Sequence, residues 1–84
     1  MNKCDSFNAG SSGQYMVRVV ADKHRGGYAA KLVSSGAGVI MEPNGSTKRK
    51  ALSALVGDLR RGFSTGDAKL ARQIAAAYRS CRRK

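Results

Sequence analysis

The hydrophobic period of this chain changes once, around residue 45, and that change constrains the fold more than any other feature of it. Tyr15, Val17, Val19 and Ala21 fall on one side of an alternating run, with Met16, Arg18, Val20 and Asp22 on the other. A period of two is that of a half-buried strand. Asp22, Lys23, His24, Arg25, Gly26 and Gly27 interrupt it with polar residues and two glycines, whose tolerance of positive φ suits a hairpin loop. A second strand follows, with Tyr28, Ala30 and Leu32 opposed to Ala29, Lys31 and Val33. After a Ser- and Gly-rich turn, Val39 to Glu42 read as a short third strand. Pro43, Asn44 and Gly45 end it, because proline lacks the ladder donor and Asn-Gly favours a turn.

Beyond residue 45 the period is helical. Leu52, Leu55, Val56, Leu59 and Phe63 recur at spacings of three and four and form one apolar stripe. Ser46 or Thr47 can serve as the N-cap and Gly62 stands where a helix would close. A second helix, with Asp67 as cap or first-turn acid, carries Leu70, Ile74, Ala77, Tyr78 and Cys81, broadened by Ala71 and Ala75. Its small alanines allow close approach to a packing partner. The expected fold is therefore α+β: a three-stranded antiparallel sheet followed by two helices packed on one face. Residues 1–14, mixed Asn, Ser and Gly with almost no apolar period, read as a flexible N-terminal tail, and residues 15–84 as one small domain with a basic C-terminal end.

With 84 residues the chain has room for one thin core. A hydrophobic fraction of 42% and a charged fraction of 25% are ordinary for a globular domain, whereas sixteen Lys and Arg against five Asp and Glu are not. The resulting +11 creates a field that attracts polyanions. It is unevenly placed: residues 46–84 hold eleven bases and two acids. The C-terminal half is thus the expected contact surface.

Cys4 and Cys81 are too few to define a disulfide framework and lie far from His24, the single histidine, so free thiols in a reducing compartment and no metal site are expected. No secretory start or membrane-length apolar run is present, which points to a cytoplasmic protein that does not engage a membrane. No cofactor motif is found. His24 has only Asp22 nearby and belongs to no catalytic spacing, so a binding protein rather than an enzyme is expected.

The most informative local run is Lys48, Arg49, Lys50 in the first turn of the first helix. The helix dipole already places partial positive charge there, so each cation costs roughly 0.3–1 kcal/mol before screening. Such an arrangement favours an anion, phosphate being the obvious one. The stretch from Pro43 through Ser46, Thr47, Lys48, Arg49, Lys50 and Ala51 to Leu55 resembles the end of a double-stranded-RNA-binding domain. There a glycine-containing turn after the third strand leads into a Ser-Lys-Lys-x-Ala helix start. The resemblance covers roughly residues 15–60 and implies that Lys48, Arg49 and Lys50 contact phosphates across a groove, although the family's first helix has no counterpart in the tail. The same strand-strand-strand-helix unit is similar to truncated forms in antitoxin-like proteins and to DNA readers that lay a three-stranded sheet in the major groove.

Further cations extend this face. Arg79, Arg82, Arg83 and Lys84 close the chain, Arg60 and Arg61 end the first helix, and Lys69 and Arg72 lie between. Lys23 and Arg25 flank His24 on the hairpin loop. Tyr15 and Tyr28 fall on strand faces that could pair and offer stacking surfaces, although core packing is the commoner fate; Phe7 has no assigned role. The expected function is phosphate-gripping binding of DNA or RNA. The alternative is a phage or mobile-element inhibitor, of the anti-CRISPR or similar counter-defence kind, that binds an acidic protein surface or a nucleic-acid enzyme. A homodimer through an uncovered sheet face or edge strand is also open.

Overall fold

A computed structural model describes residues 3–10, 12–62 and 65–82. Its sheet comprises β1 (Ser6–Ala9), β2 (Tyr15–Ala21), β3 (Tyr28–Ser34), β4 (Gly38–Met41) and β5 (Asn44–Gly45), followed by α1 (Lys48–Arg60) and α2 (Thr65–Arg82). The strands are antiparallel in the order β1-β2-β3-β4, with β5 also pairing β3. This is the expected α+β plan, with four main strands in place of three.

The two-residue period is used as the sequence implies. Val17 lies opposite Leu32 and Val19 opposite Ala30 across β2 and β3, and all four are buried beneath the helices. Tyr15 and Tyr28 share that face but not a register position: Tyr15 is opposite Ser34 and Tyr28 opposite Ala21. Both rings pack against the core, so they build no stacking platform on the open side of the sheet. That open side instead leaves Met16 and Val39 substantially exposed.

The turn between β2 and β3 is organised by Asp22, whose Oδ1 accepts the backbone N–H groups of His24 and Arg25, each at 3.0 Å. Gly26 and Gly27 both adopt positive φ. A side chain on Gly27 would also strike the carbonyl oxygen of Gly45, so that position has two reasons to be glycine.

Asn44 and Gly45 do not simply end the third strand. As β5 they return to the other end of β3, opposite Tyr28 and Ala29, and the intervening Pro43 carbonyl accepts the Ala30 N–H at 2.9 Å. Proline cannot donate to a ladder but can accept from one. The bare backbone of Gly45 then lets the start of α1 sit directly against the sheet edge.

Thr47 caps α1, its Oγ1 accepting the Lys50 N–H at 3.1 Å. The helix ends in a tight turn in which Arg61 N–H donates to Gly57 and Gly62 N–H to Leu59. Ala51, Leu52, Leu55 and Leu59 bury one stripe of α1 against β2 and β3, and Leu70, Ala71 and Ile74 of α2 complete the core. Full burial of a leucine such as Leu55 contributes about 1.5–3 kcal/mol. Phe63, the last residue of the sequence-derived stripe, lies outside the described residues.

Two expectations about the chain ends are overturned. The flexible tail assigned to residues 1–14 contains a single 3-10 turn at Lys3–Asp5 and the edge strand β1, whose Phe7 and Ala9 lie opposite Val17 and Tyr15. Its order comes from distant partners, which a local apolar period does not register. The two cysteines are not free thiols either: Cys4 and Cys81 form a disulfide, with their Cα atoms 5.6 Å apart. The fold brings the last turn of α2 beside the first turn of the chain, so 77 positions of sequence separation close to covalent contact. In the chain-entropy account such a link stabilises by about 4.5 kcal/mol. No helix among the described residues is long and apolar enough to cross a membrane.

Candidate functional site

The acids of this chain are scarce, and the fold distributes them unequally among the cations. Asp5 Oδ2 accepts from Lys48 Nζ at 3.0 Å, Asp22 Oδ2 from Arg25 Nε at 2.8 Å, and Asp58 pairs with Arg61. Glu42 lies 3.8 Å from Lys31 and 3.9 Å from Arg25. Lys48, Arg25 and Arg61, all candidates on sequence grounds, therefore have carboxylate partners within the chain. Lys48 also lies 5.8 Å from the centroid of the Tyr28 ring. The hydrogen bond to Asp5 raises its pKa above the ordinary lysine value.

Asp22 shows the opposite shift. The Arg25 backbone N–H, then the Arg25 side chain, hold its carboxyl down to about 2, with the His24 N–H adding to them. Arg25 is consequently part of the hairpin's own architecture, whereas Lys23 is exposed on the turn and makes no ion pair among the described residues.

The remaining candidates behave differently. Arg49, Ser53, Val56 and Arg60 succeed one another at steps of four, three and four, which places them on one stripe of α1. Ala75, Tyr78, Arg79 and Arg82 form the facing stripe of α2. Between them runs an open groove of about 300 Å³, floored by Leu52 and edged by four arginines, Arg49, Arg60, Arg79 and Arg82. None of these four makes an ion pair among the described residues. At 1.5 Å per residue, Arg49 and Arg60 stand roughly 16 Å apart along the helix.

The helix dipole explains part of this arrangement. Arg60 and the pair Arg79 and Arg82 occupy last turns, where cations are favoured. Arg49 is in the first turn of a helix that has no first-turn acid, where a cation is disfavoured. Its guanidinium becomes favourable when an anion lies in the groove.

Tyr78 supports the α2 side. The Arg82 guanidinium carbon lies 5.7 Å from its ring centroid, and Phe7 of β1 packs behind at 6.5 Å between centroids. Sequence reasoning assigns Tyr78 to the core stripe and leaves Phe7 without a role. In the fold the two rings form a wall that holds one groove arginine in place. The spacing of Arg49, Ser53, Val56 and Arg60 was a legible signal for half of the groove; its other half depends on how α2 docks.

Lys50, Lys69 and Arg72 are exposed elsewhere on the helices, and Arg83 and Lys84 lie outside the described residues. His24 is exposed and does not line the groove. Among the described residues no cluster of three or more His, Cys, Asp or Glu side chains is placed to hold a metal ion.

Comparison with known proteins adds no identity: no family model, no curated protein and no solved structure matches this chain.

Proposed function

We propose that this protein binds nucleic acid, DNA or RNA, by seating phosphates in the arginine-lined groove between α1 and α2. The observation that carries the reading is the division of charge. Internal carboxylates occupy Lys48, Arg25, Lys31 and Arg61, while the four groove arginines converge without one among the described residues. Guanidinium groups suit phosphate because their donors form a planar fork matching two oxygens. The resemblance of the β2-β3-β4-α1 unit to the end of a double-stranded-RNA-binding domain supports the same reading, but the principal contacts move from the start of α1 to the groove. Lys50, Lys23 and the basic C-terminal end would enlarge the attracting field.

The test is a salt-titrated binding comparison across duplex DNA, duplex RNA and single strands. Each phosphate contact contributes about 0.9 to the slope of log K against log salt on duplex DNA. Arg49→Ala combined with Arg79→Ala is expected to flatten that slope by about two. An unchanged slope rejects the groove.

A second reading, a phage or mobile-element inhibitor of the anti-CRISPR kind, is favoured by a different surface. Met16 and Val39 are 40% and 51% exposed on the open sheet face, beside Arg18, which makes no ion pair among the described residues, and its registered neighbour Lys31, which lies 3.8 Å from Glu42. Apolar side chains beside cations suit an acidic protein. A stoichiometric protein partner retained after nuclease treatment, and lost on Met16→Asp, would favour this reading. In either case we place the protein in the cytoplasm, where the Cys4–Cys81 bond would meet reducing conditions.

A further inference from the structure

Among the described residues, Lys48 is the one member of the basic run at the start of α1 with a carboxylate partner, and that acid is covalently anchored. Asp5 directly follows Cys4 in a single 3-10 turn, and Cys4 is bonded to Cys81. The disulfide thus fixes Asp5 to within one residue of the last turn of α2. We propose that residues 3–9 are a redox-controlled latch: with the disulfide formed they hold Asp5 on Lys48, and reduction releases them and returns Lys48 to the cationic surface of the helices. The effect on binding rests on the nucleic-acid reading above; the release does not.

Apart from the disulfide, the segment is held by its packing on β2 and α2. β1 is a four-residue edge strand paired on one side only, with Ala9 buried and Phe7 resting on Tyr78. Short edge strands are among the least stable parts of a sheet. The helices, by contrast, are held by Leu52, Leu55, Leu70, Ala71 and Ile74, buried in a core to whose margin residues 3–9 add Cys4 and Ala9, with Phe7 packed against it. Breaking the covalent tie therefore frees the segment, and with it the Phe7 ring behind Tyr78, while the buried contacts between α1 and α2 remain.

The chemistry requires a dithiol reductant. One thiolate attacks a sulfur of the Cys4–Cys81 bond to give a mixed disulfide, and the second thiolate displaces it. The reductant becomes a disulfide, and its two electrons and two protons end on the cysteine thiols. Cys81 is partly exposed and Cys4 is buried, so attack at Cys81 is the accessible route.

The experiment compares oxidised and dithiothreitol-reduced protein, using acylation by an N-hydroxysuccinimide ester read by peptide mass spectrometry. Lys50, exposed and making no ion pair among the described residues, is the internal standard. Reduction is expected to raise the Lys48 to Lys50 reactivity ratio several-fold. Asp5→Asn should do so in the oxidised protein, and Cys4→Ser with Cys81→Ser should match the reduced form. The salt slope on duplex DNA should steepen by about one upon reduction. An equal ratio in both redox states overturns the latch whatever the binding data show. Loss of amide-exchange protection at Leu55 and Ile74 on reduction also overturns it, because the helices would then depend on the tie. If the ratio rises while neither form binds any nucleic acid, the latch stands and the nucleic-acid reading falls.

Discussion

Asp5 and Lys48 lie 43 residues apart in the sequence, yet a carboxylate oxygen of one accepts a hydrogen bond from the ammonium of the other at 3.0 Å. This contact separates Lys48 from Arg49 and Lys50, its neighbours in the first turn of α1, neither of which has a carboxylate partner among the described residues. Three adjacent cations, equivalent on paper, thus divide into one neutralised by β1's leading turn, one lining the groove and one in solvent.

The same division occurs at the end of α1 and gives a discriminating comparison. Arg60 lines the groove, whereas Arg61 is paired with Asp58 outside it. Arg60→Ala is expected to weaken duplex binding and reduce the salt slope by about one, with Arg61→Ala leaving the slope nearly unchanged. Equal effects of the two substitutions would mean that net charge, and not the groove, governs affinity.

Asp22 provides a pH signature. Its carboxyl is depressed in the folded state from 3.8 to about 2, chiefly by the Arg25 backbone N–H and then by the Arg25 side chain. A depressed folded-state pKa stabilises above the unfolded value, and the contribution is lost as pH falls through the window between them. Urea unfolding from pH 7 to pH 2 should show a wild-type advantage over Asp22→Asn that shrinks between about pH 4 and pH 2. A difference independent of pH would remove the carboxylate from the account of the hairpin.

The depth of the core sets the largest single stability effect. Leu55 is fully buried between α1, the sheet and α2, so Leu55→Ala is expected to cost about 2–5 kcal/mol in denaturant unfolding. Val39, 51% exposed on β4, should tolerate alanine within about 0.5 kcal/mol. Comparable losses at both positions would show that the open sheet face is covered in solution, as a homodimer through that face would require.

Much of this architecture follows from the sequence alone, because its determinants are local. The alternation of Val17 and Val19 with Met16 and Arg18 sets which face of β2 is buried, and the spacing of Leu52, Leu55 and Leu59 sets the buried stripe of α1. Thr47 was legible as a cap for the same reason: its hydroxyl needs only a backbone N–H three residues on. The concentration of charge after residue 45 can likewise be read directly from the chain.

What required the tertiary structure was every relationship between distant residues. The ordering of β1, which has no strong apolar period, depends on β2 beside it and on the Cys4–Cys81 bond; β5 depends on the free edge of β3. The groove arises only when α2 docks against α1 and brings Arg79 and Arg82 across from Arg49 and Arg60. Sequence counts the cations, but electrostatic availability depends on where the few carboxylates fall in space. That is why the run Lys48, Arg49, Lys50 reads as one site in the sequence and serves three different purposes in the fold.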